Sequence, residues 1–383
     1  MSRRPRIAVI GAGIGGLTVA AALRAAGAAC DVYERTARLT ETGAGLQLSP
    51  NAVRPLRRLG LRLPQAVPLE EQEVRSWTGS PISRTEFGVA CERLFGAPYL
   101  AVHRGQLQSA LLELVDRDRL HLDAALTALA DEADGIRLTF ADGRVRHADV
   151  VIGADGVHSV VRTRLVADRP VPSGMAVFRG LLPTDRLPYA PHAPIARMWL
   201  GPAGHVVCYP VAAGRLLAFA ATAPAHVTDV RAAFGDWHGL AGALARAAGD
   251  VRRWPLQDRE ALATWTDGRV TVLGDAAHAM LPFLAQGANQ TVEDAVDLAA
   301  RLAGAEVDDL PGRLQAYQAA RAPRANAIHF GARQHAAAVH LPDGPGQRAR
   351  DAALRAGADL RLRVWLYGHR AGEAVTAGEE LRV

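Results

Sequence analysis

The sequence predicts an α/β fold: a parallel-sheet domain, a smaller β-sheet domain set into it, and a helical C-terminal segment. Three observations carry that reading. A glycine hexapeptide stands between a strand-like and a helix-like run near the N-terminus. Two later buried strand-like runs each end on an acid, at Asp155 and Asp275. Between them, from Pro170 to about Trp254, short β-like runs broken by Pro and Gly replace the alternation of strand and helix.

The first unit is the most informative. Arg6 to Ile10 reads as a buried strand, Gly11-Ala12-Gly13-Ile14-Gly15-Gly16 follows at once, Leu17 to Ala26 is Ala- and Leu-rich with no breaker, and Ala29 to Tyr33 reads as a second strand ending on Glu34. Gly11 allows a tight turn, Gly13 lets backbone approach a pyrophosphate, and Gly16 lets helix pack on strand. The helix start presents free N–H groups and the positive end of a dipole. Glu34 lies 18 residues past Gly16, where a carboxylate accepts ribose hydroxyls. Together these parts predict a Rossmann-type unit holding a dinucleotide.

The 383 residues allow two or three domains, and a hydrophobic share of 49% suits a well-formed core. All 44 basic residues are arginine. With no lysine, Schiff-base chemistry and a Walker-type phosphate lysine are both excluded. The arginines are scattered with little aromatic interleaving, so the net charge of +5 does not point to nucleic acid. Cys30, Cys91 and Cys208 lie far apart and form no CxxC pair, which fits a reducing cytoplasm and neither a disulfide framework nor a zinc site. Ser2-Arg3-Arg4 before an apolar run resembles an export signal, but that run is glycine-rich and doubles as the dinucleotide turn. No other stretch is long enough to span a bilayer, and no His and carboxylate cluster has metal spacing.

The remaining elements follow in order. Gly43 to Leu48 reads as a glycine-edged strand or loop. Ser49 is a candidate N-cap with Pro50 at the first helical position, and Gly60 ends that helix. Glu70 to Tyr99 reads as a small β excursion. Val102 to Leu107 opens a helix with Leu107, Leu111, Leu112 and Val115 on one face, and Asp142-Gly143 marks a hairpin. Val157 to Leu165 looks helical. Strands are expected at Met175 to Leu182, Ile195 to Leu200, His205 to Val211 and Leu216 to Thr222, and helices within Asp229 to Ala247. Val270 to Asp275 is one more strand ending on an acid, a helix begins near Gln290, and the chain from Leu310 looks helical. The boundaries place a discontinuous dinucleotide domain at 1–70, 100–169 and 265–305. A substrate domain occupies 71–99 and 170–264, and C-terminal helices occupy 306–383.

Gly11 to Gly16 with Glu34, Gly153-Ala154-Asp155-Gly156, and Gly274-Asp275 with Pro282 and Gln286-Gly287 occur in this order over roughly residues 5 to 330. In that set the chain resembles the single-component FAD-dependent aromatic hydroxylases, the branch with salicylate, 3-hydroxybenzoate and 6-hydroxynicotinate monooxygenases. The resemblance implies a p-hydroxybenzoate hydroxylase-like fold and FAD as cofactor. Gly11, Gly13, Gly15 and Gly16 would cradle the pyrophosphate, and Glu34, with Arg35 beside it, would serve the adenosine ribose. Arg104 would contact the phosphates, and Asp155 would support that region and the nicotinamide co-substrate. Asp275, after Gly274, would bond the ribityl chain. Pro282 to Asn289, with Gly287 and Ala288, would lie along the flavin ring. Flavin halogenases of similar build depend on a lysine this chain lacks. Residues past about Leu341 carry no motif and receive no function.

Only one dinucleotide fingerprint is present, so NADH or NADPH would dock transiently as co-substrate. The resemblance implies flavin reduction, O2 capture as a C4a-hydroperoxide, and hydroxylation of a small electron-rich aromatic of hydroxybenzoate or aminohydroxybenzoate type. His205 and Tyr209, four apart in a strand, point to one face and are candidates to activate a phenolic hydroxyl. Gln47 and Gln286 are further catalytic candidates. Gln47 stands where pyridine-hydroxylating relatives carry histidine, which favours a benzoate ring. His278 reads as framework. The expected partners are the aromatic substrate and O2, with no nucleic acid or membrane, in a monomer or homodimer. A flavin-dependent tailoring oxidase or reductase, a non-catalytic flavin sensor and a plain NAD-dependent dehydrogenase stay open as alternatives.

Overall fold

The computed structural model describes residues 4–39, 44–187, 193–249 and 251–373. Ser2, Arg3 and Gly43, which entered the reading above, lie outside the described residues. Two large sheets organise the rest. The first has six strands in the order Thr266–Asp267, Val270–Val272, Val150–Gly153, Ile7–Ile10, Cys30–Tyr33 and Leu120–His121. Its pairings are parallel except between the first two. Ile7, Val9, Val150, Val151 and Ile152 are buried, as expected of strands covered on both faces. Helix Ile14–Ala25 lies against this sheet and is buried from Gly15 to Leu23. Its small residues admit the neighbouring helix Gly287–Leu302: a Cβ on Gly15 would meet Thr291 Cγ2 at 2.7 Å.

The second sheet has seven strands in the order Arg252–Asp258, Val171–Pro183, Leu216–Pro224, Gly204–Val211, Ile195–Gly201, Glu71–Ser76 and Pro81–Glu86. The Glu70 to Tyr99 excursion thus joins the later strands, with Glu71–Ser76 parallel to Ile195–Gly201. One face packs on the helices Val230–Phe234 and Leu240–Ala247 through Phe178, Trp199, Phe219 and Trp237. The other face, with Tyr209, Val211 and Ala218, packs on Leu69, Phe87, Tyr99 and Ala101.

Several local expectations change. The Val157 to Leu165 run is only a short 3-10 turn, Val161–Arg164. The Asp155 carboxylate accepts the Val160 and Val161 N–H groups at 2.7 and 3.2 Å, and such a local acceptor competes with helix formation. Strand Arg252–Asp258 runs past the break expected near Trp254. Ser49 precedes helix Pro50–Arg58 but does not cap it: its hydroxyl donates to Asn51 Oδ1 at 2.5 Å. Among the described residues the three cysteines are free and buried, no helix is long and apolar enough to cross a membrane, and no His, Cys, Asp or Glu group of metal-binding size occurs.

A buried charge cluster joins the parts. Glu293 and Asp294 are fully buried in helix Gly287–Leu302, facing Arg321 and Arg324 of the long helix Leu310–Val339. Arg321 bonds Glu293 Oε2 at 2.6 Å and Asp294 Oδ1 at 2.9 Å, and Arg324 bonds both Glu293 oxygens at 2.8 and 3.0 Å. Asn51 donates to Glu293 at 2.6 Å, and His278 meets Asp294 at 2.6 Å. Arg324 also donates to the carbonyls of Trp365 and Leu366, both at 2.9 Å. Burial pushes the Glu293 carboxyl up, but Arg321 and Arg324 overcome it and leave it at about 2. Removing one member strands a buried charge. Arg321→Ala is therefore expected to lose about 3–5 kcal/mol in denaturant unfolding, whereas Arg313→Ala, at an exposed pair, loses under about 1 kcal/mol.

Candidate active site

The glycine turn divides its positions by what surrounds them. Gly11 has φ +103, and a Cβ there would meet Ala154 O at 2.4 Å. A Cβ on Gly16 would meet Gly11 O at 1.8 Å, and one on Gly15 would meet Leu273 Cδ1 at 2.7 Å. Gly13 is different: nothing lies within 4 Å of its added Cβ. Three glycines therefore close the turn onto its neighbours, and the fourth leaves open space at the N-terminus of helix Ile14–Ala25. An anion can approach backbone N–H groups there. Glu34 flanks this opening. Its carboxylate accepts Ala12 N–H at 2.8 Å and Thr36 N–H and Oγ1–H at 2.9 Å. That uses three of about four acceptor positions and leaves one for a ribose hydroxyl. Arg35 is exposed.

The two later acids are placed differently. Asp155 lies against Gly11, and its carboxylate is taken up by Ser159 Oγ, Val160 N–H and Val161 N–H, so it shapes the loop. Asp275 is exposed at the start of the short helix Asp275–His278, after Gly274 with φ +59. It is free to meet hydroxyls of a bound ribityl chain. Arg104 is exposed at the start of helix Arg104–Leu112.

Pro282–Leu284 forms a 3-10 turn before the 16-residue helix Gly287–Leu302. Pro282, Gly287 and Ala288 are half-buried, and the nearest atom to a Cβ on Gly287 is Met280 Cγ at 3.9 Å. This helix N-terminus favours negative charge beside it. Asn289 is buried and stitches the segment to strand Gly45–Leu48: it donates to Gln47 O at 3.1 Å and accepts Ser49 N–H at 2.9 Å. Gln286 is 1% exposed. Its amide donates to Ser49 Oγ at 3.0 Å and accepts from Asn51 at 3.2 Å and Gln290 at 3.3 Å. The side chain expected beside flavin or substrate is therefore spent inside the protein. Packing at both ends of its segment turned it inward.

The face of the seven-stranded sheet that turns inward carries Tyr209. A Cβ on Gly45 would meet Tyr209 Cε2 at 2.8 Å, so the strand Gly45–Leu48 lies on the phenol. Burial pushes the Tyr209 phenol up to about 12, with Arg179 and Gln47 acting in the opposite sense. Gln47 accepts from Tyr99 at 3.0 Å. Tyr99 stacks on Phe87 with centroids 4.4 Å apart and meets Tyr367 edge-on at 5.8 Å. Arg363 donates to the Tyr367 hydroxyl at 3.0 Å. Tyr209, Gln47, Tyr99 and Tyr367 thus form one polar, aromatic-walled corner.

His205 does not join it. Its Nδ1 lies 2.8 Å from His340 Nε2, the two rings stack at 5.1 Å, and Phe283 meets it edge-on at 5.6 Å. Burial, then His340, lowers its pKa to about 3, so it stays neutral. The i, i+4 spacing places both residues on one face, but four residue rises, about 13 Å of strand, separate them. His278 is framework, held by Asp294.

Two residues of this corner were missed by the sequence reading. Tyr99 closes an irregular stretch, and Tyr367 lies in the tail to which no function was given. Only the tertiary fold brings them to Gln47.

The comparisons agree with this geometry. A family model described as an FAD binding domain matches residues 4–331. The 3-amino-4-hydroxybenzoate 2-monooxygenase of Streptomyces platensis is 44% identical over 390 residues, covering 97% of each chain. The enzyme of the same name from Streptomyces cremeus is 45% identical over 387 residues, again covering 97% of each. Among solved structures, Klebsiella pneumoniae HpxO complexed with FAD and uric acid matches with a TM-score of 0.83 at 28% identity, over 92% of this chain and 93% of that one.

The turn yields a paired test. Gly13→Val is expected to fold with an unchanged melting midpoint and to purify with little bound flavin by absorbance, because its Cβ fills only the open space. Gly16→Val is expected to give little folded protein.

Proposed function

This chain belongs to the FAD-dependent aromatic monooxygenases, and from that premise we propose that it hydroxylates a 3-amino-4-hydroxybenzoate-type substrate with NAD(P)H and O2. The observation that carries the substrate reading is the corner of Tyr209, Gln47 and Tyr99 on the inward sheet face. It is a place for a ring hydroxyl. FAD, when bound, supplies the hydride acceptor and the oxygen-activating chemistry.

The chain's own residues then have distinct tasks. The open space at Gly13 and the start of helix Ile14–Ala25 receive the pyrophosphate, and Glu34 takes a ribose hydroxyl. Asp275 holds the ribityl hydroxyls, with Arg104 toward the phosphates. Gly287 and Ala288 offer helix N–H groups to the flavin ring, while Gln286 and Asn289 fix that segment from behind. Tyr209 keeps its proton at neutral pH and donates to the substrate's phenolic oxygen, which stabilises charge gathering on that oxygen as the ring becomes electron-rich. Tyr99 orients the Gln47 amide. Phe87, Tyr99 and Tyr367 exclude water around the ring.

The benzoate class is further supported by Gln47, an amide that pairs with a hydroxyl and carries no charge. An oxidase, reductase or sensor role is not favoured by relatives that are monooxygenases over nearly the full chain.

Oxygen-18 labelling tests the reaction type. With 3-amino-4-hydroxybenzoate and NAD(P)H under labelled O2, one labelled atom is expected in the product by mass spectrometry; unlabelled product, or peroxide alone, overturns the reading. A second test separates the two sheet residues. Tyr209→Phe is expected to lower kcat/KM about a hundredfold. His205→Asn is expected to leave the pH–rate profile unmoved between about pH 5 and 8, since His205 is neutral throughout that range.

A further inference from the structure

A cavity of about 500 Å³, within the size range of small-ligand sites, opens beside the segment that would lie along the flavin ring. Met175, Leu281, Phe283 and Ala336 form its apolar side and pack together with Val177 and Ala220 of the seven-stranded sheet. Asp258, Glu260, Arg333 and His340 form its polar side. None of the residues that would hold FAD or the aromatic ring line it. It stands apart from the Tyr209 corner. Tyr209 pairs through Ala218 with Leu181. Met175 lies six residues earlier on that last strand, about 20 Å along it.

Two features describe what the cavity can hold. Asp258 is 4% exposed. Its Oδ2 accepts from Arg333 at 2.6 Å and meets His329 Nε2 at 3.4 Å, while among the described residues Oδ1 has no hydrogen-bond partner. A nearly buried carboxylate oxygen beside a cavity is suited to an N–H donor on whatever enters. The second feature is charge. Arg333 is shared between Asp258 and Glu260, bonding the latter at 3.0 and 3.1 Å. Burial keeps His329 and His340 neutral. The lining therefore carries one excess negative charge, which repels a ring carboxylate and favours a ring that gains positive charge. Phe283 adds to this. His205 and His340 hold it edge-on at 5.6 and 5.4 Å, and an aromatic face attracts a cation.

We propose that this cavity receives the nicotinamide ring of the NAD(P)H co-substrate, with the carboxamide N–H on Asp258 and the ring against Phe283. The proposal rests on the NAD(P)H-dependent reading above and not on which aromatic is hydroxylated. Asp155, expected at the nicotinamide, is taken up by its own loop, and the single glycine fingerprint leaves no second Rossmann unit for this co-substrate. The reduced ring enters uncharged. When its C4 hydrogen leaves with the bonding pair for the flavin, the ring becomes a pyridinium cation, so the excess negative charge of the lining favours the transfer. The phosphates stay at the open side, in water.

The test uses flavin-loaded enzyme and calorimetric titration with two ligands. One is NAD+ or NADP+, whichever reduced form the native enzyme oxidises faster. The other is the matching ADP-ribose, the same molecule without its nicotinamide. Ala336→Trp, which fills the cavity from helix Leu310–Val339, is expected to raise the Kd of the dinucleotide at least about tenfold and leave that of the ADP-ribose within about twofold. Glu260→Gln, at an exposed side chain, is expected to weaken the dinucleotide about threefold and again spare the ADP-ribose. Both variants are expected to keep their flavin, their melting midpoint and, within about twofold, the Kd of 3-amino-4-hydroxybenzoate read from flavin absorption. If Ala336→Trp folds poorly, Glu260→Gln decides alone. An unchanged Kd for the dinucleotide overturns the proposal, and so does an equal loss for the ADP-ribose. A loss confined to the aromatic acid also overturns it and makes the cavity a chamber for that ligand. Native enzyme that is reduced by the dinucleotide but leaves the aromatic acid unchanged refutes the substrate reading alone, and the same comparison still decides the cavity.

Discussion

The pairing of Glu293 and Asp294 with Arg321 and Arg324 is the constraint on which the rest of the site depends. Four charges sit in the interior with no net excess, each satisfied by several hydrogen bonds. Such a cluster adds little stability over an apolar core of the same volume. Its effect lies in what it joins. Asn51, Gly274, His278, Gln290 and the carbonyls near Trp365 all end on it. These groups come from the segments that would lie at the ribityl chain, the flavin ring and the aromatic pocket. A shift in any one segment breaks bonds in the others, so the site is held in a single arrangement.

Two kinds of chemistry are kept apart by this frame. The parallel sheet ends in backbone: a glycine turn, helix N-termini and loops whose side chains are mostly used to hold their own shape, as in Asp155. The antiparallel sheet presents side chains on its inward face, Tyr209 among them, beside Ala218 and Leu181. In the function proposed above, backbone would hold the dinucleotide and side chains of the inward sheet face would meet the ring.

Much of the first kind was legible in the sequence and much of the second was not. The glycine hexapeptide, Glu34 and Gly274-Asp275 are local patterns whose geometry follows from neighbours within a few residues. The strands from Met175 to Thr222 were also legible, because their β-branched and apolar runs are bounded by Pro and Gly. Gln286 and His205 show the limit. Both are polar residues in suitable segments, but their partners, Ser49 and His340, lie 237 and 135 residues away. Pattern cannot say which way such a side chain turns when the deciding hydrogen bond is that distant. Tyr367 illustrates the same limit in reverse, a residue without motif that the fold carries into the pocket.

That placement of Tyr367 has a consequence for biogenesis. The pocket wall facing Tyr99 is made from residues synthesised well after the nucleotide-type sheet, and Arg324 can grip the Trp365 and Leu366 carbonyls only after they emerge. The nucleotide-type sheet is complete about ninety residues sooner, at Val272. The sheet and glycine turn suited to the dinucleotide can therefore form while one wall of the aromatic corner is still being made.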